Sequence, residues 1–398
     1  MKINNLKWCF VLVFTVFQQL SFGQTVLKTM KRLPDTGVKT GYTNTPGEDA
    51  DFLINEPYFI VNSDGTALDT ITGLLWQRGD GGEMTIENAR KYCDTLTLGG
   101  YTNWRLPRVN EAYSILNHQN TNPALDANVF IKNAAQYWWT ADVQFNDSQK
   151  IWCTNAGGGI GNHPKAETVS AGGTKKFHVR AVRDVTAPVS MQHFTALNSL
   201  LVRDEITGLV WSKAPFTDSL TWEDALLYAD SCRLGNFTDW RLPNIKELQS
   251  IADISRMNPA LNTAYYSLAP AMKIWTSTTL PNKTVSAWYL DTRYGITTYD
   301  VKTRKNMVLL VRGGSGNVTT GLKSAADKSM VAYPIPFSDV VKLDGISETT
   351  NCNVYNVNGK LLQSGALKAI SWSELPSGVY LLQVDGRFGA LQIVKSAK

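Results

Sequence analysis

Two charged pairs are the residues whose types and spacing could do chemistry. Arg105 is followed six positions later by Glu111, and Arg241 is followed at the same spacing by Glu247. A guanidinium and a carboxylate so placed can contact a ligand, or can tie an extended segment to a helix through a bidentate ion pair. Because both pairs recur within the same Trp-Arg-Leu-Pro context, we expect a structural ion pair in each case.

The other residue types that commonly carry catalysis do not form a recognisable site. The histidines, His118, His163, His178 and His193, show no His-Glu-x-x-His spacing, and no Gly-x-Ser-x-Gly or Cys-x-x-Cys segment is present. The acidic segment 47–51 offers oxygens to calcium but lacks the regular calcium-binding loop, so calcium binding stays open. The sequence therefore predicts no metal, no cofactor and no enzymatic activity.

Both charged pairs belong to a long internal duplication. Arg241 follows Arg105 by 136 positions, and Thr-Gly-Leu-x-Trp, Asn-Pro-Ala-Leu and Trp-Thr motifs recur in the same order. Most of the 12 tryptophans occupy recurring positions, which indicates core packing in each copy. The paired tryptophans are Trp76 and Trp211, Trp104 and Trp240, Trp139 and Trp275, and Trp152 and Trp288.

The same order of elements is predicted in each copy. A short strand ends at the first tryptophan, Thr85 or Thr221 caps a helix, and Pro107 or Pro243 opens a second helix at its first position. Short strands rich in Trp, Thr and Val follow. Two helices and a meander of strands predict an α+β domain.

Features present in the first copy alone are the candidates for ligand binding. Trp138, beside Trp139 on a predicted strand, should face the opposite side of the sheet, where an exposed aromatic ring could bind a sugar. The Gly-rich loop 157–161 lies close by in sequence. We expect a ligand surface there, formed by Trp138, Asn155, Asn162 and His163. The alternative is that the Gly-rich loop is a purely structural turn.

The N-terminal residues have the pattern of a secretory signal peptide. Lys2 and Lys7 precede an apolar run too short to span a bilayer, and Ser21 and Gly23 suit cleavage, which predicts a signal peptide over 1–23. No later segment predicts a membrane span. The net charge of +5 is spread without a basic stripe, which argues against nucleic-acid binding.

Export would permit disulfide bonds. Cys93 and Cys153 lie in the same copy, so they are the expected pair if one forms; buried thiols are the alternative, and the sequence does not choose between pairings.

The motifs of the duplicated unit resemble those of the Lcl C-terminal domain family, which is named for a Legionella collagen-like protein. The resemblance rests on Thr-Gly-Leu-x-Trp, Trp-Arg-Leu-Pro with the following Glu, Trp-Thr and a closing Val-Arg, in order and twice, over roughly residues 60–313. It implies a fold similar to C-type lectins and formylglycine-generating enzymes, on a secreted or surface protein with a binding role. The paired cysteines of the latter enzymes have no counterpart here.

The C-terminal segment has a different composition. A Gly/Ser-rich linker over 314–329 precedes strand-like runs and turns that predict a small all-β sandwich over 330–398. This segment resembles the C-terminal sorting domain of type IX secretion, although Ile335 replaces the usual Asn of its opening motif. The resemblance implies the type IX secretion machinery as a partner. Its motif residues are Pro334, Pro336, Gly359, Gly378 and Tyr380.

The predicted organisation has six parts. After the signal peptide come an N-terminal extension over 24–58, repeat 1 over 59–186, repeat 2 over 187–313, the linker and the sorting domain. We therefore expect an α+β protein of two tandem C-type-lectin-like domains and a small all-β sandwich, exported through the periplasm to the outer cell surface or medium. The expected function is non-enzymatic binding or adhesion to a glycan, the matrix or a surface protein. The alternatives are an enzyme with an unrecognised site and a structural surface component.

Overall fold

A computed structural model describes residues 24–131, 136–165, 177–313, 332–333, 342–343, 347–356, 360–384 and 390–395. The predicted signal peptide, the linker and the motif residues Pro334, Pro336 and Gly359 lie outside the described residues. The described chain is mostly β, with several sheets and four short α-helices, rather than an even mixture of helix and strand.

The N-terminal extension and repeat 1 contribute the first ten strands and two helices. They are β1 Thr25–Lys28, β2 Phe59–Val61, β3 Thr66–Asp69, β4 Leu74–Gln77, β5 Glu83–Met84, α1 Ile86–Thr95, α2 Val109–Ser114, β6 Tyr137–Gln144, β7 Asp147–Asn155, β8 Ile160–Pro164, β9 Phe177–His178 and β10 Val182–Asp184.

Repeat 2 and the tail contribute the remaining elements. They are β11 Val189–Gln192, β12 Phe194–Ala196, β13 Leu201–Asp204, β14 Val210–Ser212, α3 Trp222–Ser231, α4 Ile245–Ser250, β15 Lys273–Thr279, β16 Ser286–Asp291, β17 Ile296–Val301, β18 Val311–Arg312, β19 Ala332–Tyr333, β20 Lys342–Leu343, β21 Asn351–Asn356, β22 Leu361–Ala366, β23 Gly378–Val384 and β24 Ala390–Lys395.

Each repeat has a terminal sheet, two helices and a meander sheet. In repeat 1 the antiparallel sheet β10-β4-β3-β2 brings the closing strand back beside the first tryptophan motif, with Val182 opposite Trp76. Repeat 2 repeats this in β12-β13-β14-β18, with Val311 opposite Trp211. The meanders are β6-β7-β8, extended by β9 and β5, and β15-β16-β17.

The helix starts predicted from the sequence are found at the first helix of each repeat but not at the second. Thr85 and Thr221 accept hydrogen bonds from the third residue of α1 and α3, as N-caps do. The second helices, however, begin two residues after Pro107 and Pro243, so the prediction of proline at the first helical position is wrong.

The glutamate of the charged pair fixes where the second helix starts. The Glu111 carboxylate accepts from the backbone N–H of Arg108, and Glu247 accepts from that of Asn244, at 2.7 and 2.9 Å. A capping box places the glutamate at the third helical position, so the N-cap falls three residues before it, on Arg108 or Asn244, and not before the proline.

The two repeats share a hydrophobic core, and the N-terminal extension joins them. One buried cluster contains Trp76, Tyr113 and Trp152 of repeat 1 together with Ile245 and Trp288 of repeat 2. Strand β1 pairs with β11, which lies at the start of repeat 2. The repeats therefore form one packed body with helices α2 and α4 at their interface.

The described tail residues form a four-stranded sheet, β22-β21-β23-β24, and a two-stranded ladder, β19-β20. Leu343 of the ladder shares a buried cluster with Val354 and Leu382 of the larger sheet, so the two sheets pack on a common core. The motif residue Tyr380 is buried there and donates its hydroxyl to the carbonyl of Pro376, while Gly378 begins β23.

Candidate functional site

The predicted arginine–glutamate ion pairs form in both repeats. Arg105 donates from its two Nη atoms to Glu111 at 2.7 and 2.8 Å, and also binds Asp184. Arg241 donates to Glu247 at 2.6 Å through both nitrogens. Burial works to lower the pKa of Arg241, but the Glu247 carboxylate outweighs it and raises that pKa. These charges are engaged in holding the second helix and contribute no free group to a ligand.

The recurring tryptophans lie in the cores of the repeats. The indole N–H of Trp104 donates to the carbonyls of Leu98 and Tyr101, and that of Trp240 donates to the carbonyl of Leu234, the counterpart of Leu98. All eight are at most 4% exposed. They are Trp76, Trp104, Trp139, Trp152, Trp211, Trp240, Trp275 and Trp288.

The prediction that Trp138 is an exposed platform is wrong. Trp138 and Trp139 do face opposite sides of β6, but both sides are covered: Trp138 packs in the cluster shared by the repeats, and Trp139 packs in the cluster under α1. Trp138 is only 5% exposed. A ring at that burial has no free face for a sugar.

The other members of the predicted ligand surface do not meet in a pocket. Asn155 accepts from the backbone N–H groups of Gly157 and Gly159, so it shapes the Gly-rich loop. His163 packs its ring against Tyr137 at 4.6 Å, and half-buried Asn162 precedes it on β8.

The Gly-rich loop itself faces repeat 2. A Cβ at Gly158 would lie 3.5 Å from the Trp288 ring, and the Ile160 N–H donates to Thr297 at 3.0 Å. Its glycines are therefore explained by close packing between the repeats.

His118, beneath this loop, gives a testable pH dependence. Burial, with Lys246 nearby, lowers its pKa from 6.5 to about 3, although its contact with the Gly158 carbonyl works the other way. The unfolded chain binds a proton near pH 6.5 and the folded chain does not, so stability is present above that pH and falls as pH drops from 6.5 towards 3. Between pH 7 and 5 we expect the unfolding free energy of the wild type to decrease by about 1–2 kcal/mol more than that of the His118→Gln variant. Urea unfolding at both pH values measures this, and parallel losses in the two proteins would contradict it.

Cys93 and Cys153, the pair expected if a disulfide formed, are thiols in the same buried cluster of repeat 1, which is the alternative that the sequence left open. Cys232 in repeat 2 and Cys352 in the tail are thiols as well. Burial raises the pKa of Cys93 to about 12, which keeps it protonated and unreactive.

A cleft lies between the repeats and has a volume of about 380 Å³. It is bounded by β1 and the residues after it, by the start of α2 in repeat 1 and by the end of α4 in repeat 2, together with the 252–255 segment. None of the four residues predicted to bind ligand lines it.

The cleft contains buried polar groups that have no protein partner. Gln249 is 1% exposed, and neither its Nε2 nor its Oε1 atom has a hydrogen-bond partner among the described residues. The Oδ1 atom of Asn110 and the Nδ1 atom of His193 are also buried and have no hydrogen-bond partner among the described residues. An unpaired buried amide costs about 1–3 kcal/mol, so a group that came to hydrogen-bond these atoms would recover that free energy.

Burial shifts the pKa values of three ionisable groups around the cleft. Lys246 donates to the carbonyls of Asp35 and Ser114 at 2.7 and 2.8 Å, which ties the extension to both repeats, and burial lowers its pKa to about 8. Burial also lowers the pKa of His193 to about 4, so at neutral pH its ring is an uncharged hydrogen-bonding group. Burial raises the pKa of Asp142, which accepts from the first N–H of α2.

The N-terminal extension makes the two repeats unequal. In repeat 2 the first N–H of α4 donates to Thr278, whose hydroxyl donates to Asp49 of the extension at 2.6 Å. Thr279 next to it donates to Glu48. In repeat 1 the equivalent residue, Asp142, lies at the wall of the cleft. The extension therefore covers this position in repeat 2 and leaves it accessible in repeat 1.

Sequence reasoning missed the cleft because its key residues are unremarkable in type. The available signal was a difference within the duplication: Tyr113 in α2 is replaced by Gln249 in α4, and Asn110 by Lys246. An amide on the otherwise apolar face of a short helix marks a position where packing alone does not decide the residue.

Among the described residues, no group of three or more His, Cys, Asp or Glu side chains is arranged to hold a metal ion. Within the same part of the chain, no helix is long and apolar enough to cross a membrane.

Comparison with known families bears on the two kinds of module. Residues 65–183 and 200–312 each match the Lcl C-terminal domain, and residues 331–395 match the secretion system C-terminal sorting domain. The sorting domain marks the protein for type IX secretion, and hence for the cell surface or the extracellular space.

Comparison with individual proteins adds little. No curated protein matches the chain. Among solved structures, the chain is similar to PorZ, an essential bacterial surface component of the type-IX secretion system of Porphyromonas gingivalis, at 11% identity and a TM-score of 0.16. The alignment covers 87% of this chain and 40% of PorZ, so the chain spans less than half the length of that protein.

Proposed function

This chain belongs to the Lcl C-terminal domain family, and from that premise we propose that it is a non-enzymatic binding protein of the cell surface whose ligand occupies the cleft between its repeats. The observation that carries the proposal is Gln249, which lines the cleft and whose buried amide has no partner in the part of the chain that the structure describes. Folding leaves such a group unpaired at a cost, and a ligand that pairs it recovers that free energy on binding.

The chemistry of the cleft favours binding over catalysis. Ser250 donates its hydroxyl to the Glu247 carbonyl and so is not aligned with a base. His193 lies 3.5 Å from Asp204, but its ring stacks on Phe194 and burial holds it neutral. The charged groups with shifted pKa values are also engaged: Asp142 accepts from the first N–H of α2, and Lys246 donates to the carbonyls of Asp35 and Ser114. The amides and hydroxyls of the lining can orient a ligand without attacking it.

We infer further that each repeat has a C-type-lectin-like arrangement, as the family resemblance implies. Two short helices packed on an antiparallel meander support this inference, as does the return of the closing strand to the first strand motif. A role in adhesion follows from the exported location, with a glycan, matrix component or surface protein as the ligand.

A paired set of variants tests where the ligand binds. The purified protein is screened against a glycan array and a panel of matrix proteins, beside Gln249→Leu and His163→Ala. Gln249→Leu keeps the size of the side chain and removes the amide, so we expect at least a tenfold loss of affinity. His163→Ala alters the surface favoured by sequence and should bind as the wild type does.

The reverse result, a loss with His163→Ala and none with Gln249→Leu, would place the ligand on β8 and overturn the cleft. Turnover of a bound ligand would overturn the non-enzymatic assignment.

A further inference from the structure

Strand β1 has one edge that pairs with no strand of the described residues. It belongs to a two-stranded sheet with β11, and the His193 N–H donates to the Gln24 carbonyl at the end of that ladder. Hydrogen-bonded pairs alternate in an antiparallel ladder, so Val26 and Lys28 exchange bonds with β11. The backbone groups of the intervening residue, Leu27, therefore point away from β11, and none of them has a partner among the described residues.

The unpaired edge runs along the cleft. Every residue from Gln24 to Met30 lines the cavity, whereas no residue of β11 does. A cavity against the face of the ladder would touch both strands. The cavity therefore lies beside the outer edge of β1, where unpaired N–H and C=O groups form a template for another strand.

The opposite wall offers hydrogen bonds that suit a peptide. The Gln249 side chain presents an N–H donor and a carbonyl acceptor side by side, which is the pattern of a backbone amide. Asn110 adds an acceptor. A peptide that bonds β1 along one edge would find these amides among the other residues that line the cleft.

The side chains around the cleft indicate the composition of that peptide. Val26, Met30 and Ile254 give the lining an apolar part. Arg32 and Arg108 also line the cleft, are exposed and form no salt bridge with a described residue. The carboxylates of the lining are engaged within the protein, since Glu111 binds Arg105, Asp142 accepts from the Val109 N–H and Asp253 binds Arg256. No exposed aromatic ring is present in the lining to stack on a sugar, since its one aromatic ring besides His193 is the buried Tyr113.

We propose that the cleft binds an extended segment of a partner protein, apolar with acidic residues, which adds to β1 as a third strand. This inference rests on the proposed function, because it names the class of ligand for the same cleft. Main-chain hydrogen bonds to β1 supply affinity, and the apolar and basic linings select side chains.

Two prolines on opposite edges of one ladder provide a matched test. Leu27→Pro removes the N–H that faces the cleft, and Ser190→Pro removes the N–H of its cross-strand neighbour, which points away from the cleft. Both positions leave the hydrogen-bonded pairs between β1 and β11 intact. Peptides are selected from a random dodecapeptide display library on the wild-type chain, and their affinities are then measured for both variants and for Gln249→Leu.

The selected peptides should be apolar and acidic. They should lose at least tenfold in affinity with Leu27→Pro and Gln249→Leu and keep it with Ser190→Pro. N-methylation along one such peptide should abolish binding at alternate residues, because a strand bonds its neighbour with every second N–H.

Three outcomes would overturn the inference: peptides that bind Leu27→Pro normally, a methylation pattern without the two-residue period, or no selected peptide. If no peptide is selected while a glycan binds in a Gln249-dependent way, the peptide inference fails and the cleft remains the binding site. If nothing binds, both fail. Equal circular dichroism spectra of the two proline variants check that neither has unfolded.

Discussion

Glu247→Ala is expected to lower the unfolding free energy by about 3–5 kcal/mol, because it leaves the Arg241 guanidinium buried without its counter-charge. Arg241 is 5% exposed, and Glu247 supplies both of its carboxylate contacts. The same carboxylate also caps the N-terminus of α4, so the substitution removes two functions at once. Urea unfolding followed by circular dichroism measures the loss.

The duplication supplies the control for this prediction. Glu111→Ala makes the same change in repeat 1, where the side chain of Arg105 is 31% exposed and keeps Asp184 as a partner. Water and Asp184 both solvate the guanidinium there, so the loss should be clearly smaller. Equal losses in the two repeats would mean that the burial of Arg241 is not what makes its pair important.

Trp288→Ala is expected to cost about 3–5 kcal/mol and to separate the unfolding of the two repeats. Trp288 comes from repeat 2 but packs with Trp152 and Tyr113 of repeat 1, against the Gly-rich loop. Removing its ring opens a cavity at the place where the repeats share their core. Differential scanning calorimetry should then show two transitions in the repeat region where the wild type shows one.

Trp211→Ala is the matched control for the separation. Trp211 is also fully buried but packs within the core of repeat 2, away from repeat 1. It should be destabilising to a similar degree without splitting the transition. A split in both variants, or in neither, would contradict the assignment of Trp288 as the residue that couples the repeats.

Much of the local structure could be predicted because it depends on near neighbours. Thr85 and Thr221 cap their helices through atoms three residues away, and the Arg105–Glu111 pair spans six. The predicted start of the second helix is wrong because it rests on the prolines, whereas the glutamate capping box, also local, sets the N-cap three residues before Glu111 and Glu247.

The predicted ligand surface failed for a reason that is not local. Alternation along β6 correctly places Trp138 and Trp139 on opposite faces, but alternation does not say whether a face is covered. Repeat 2 supplies part of the cluster that covers Trp138. The Gly-rich loop likewise meets Trp288, a residue more than a hundred positions away.

The sequence by itself determined the modules of this protein. A duplicated motif with a constant offset specifies two copies of one domain, and the C-terminal motifs specify the sorting domain, because both are patterns of residue type and spacing. Only the tertiary structure decided that the copies pack as one body, that the extension covers Thr278 in repeat 2 but leaves its counterpart Asp142 at the cleft, and that Gln249, unpaired among the described residues, lies at that cleft. Those features are set by which surfaces remain unpaired after each domain has folded, and the packing of such surfaces against each other leaves no regular spacing in the chain.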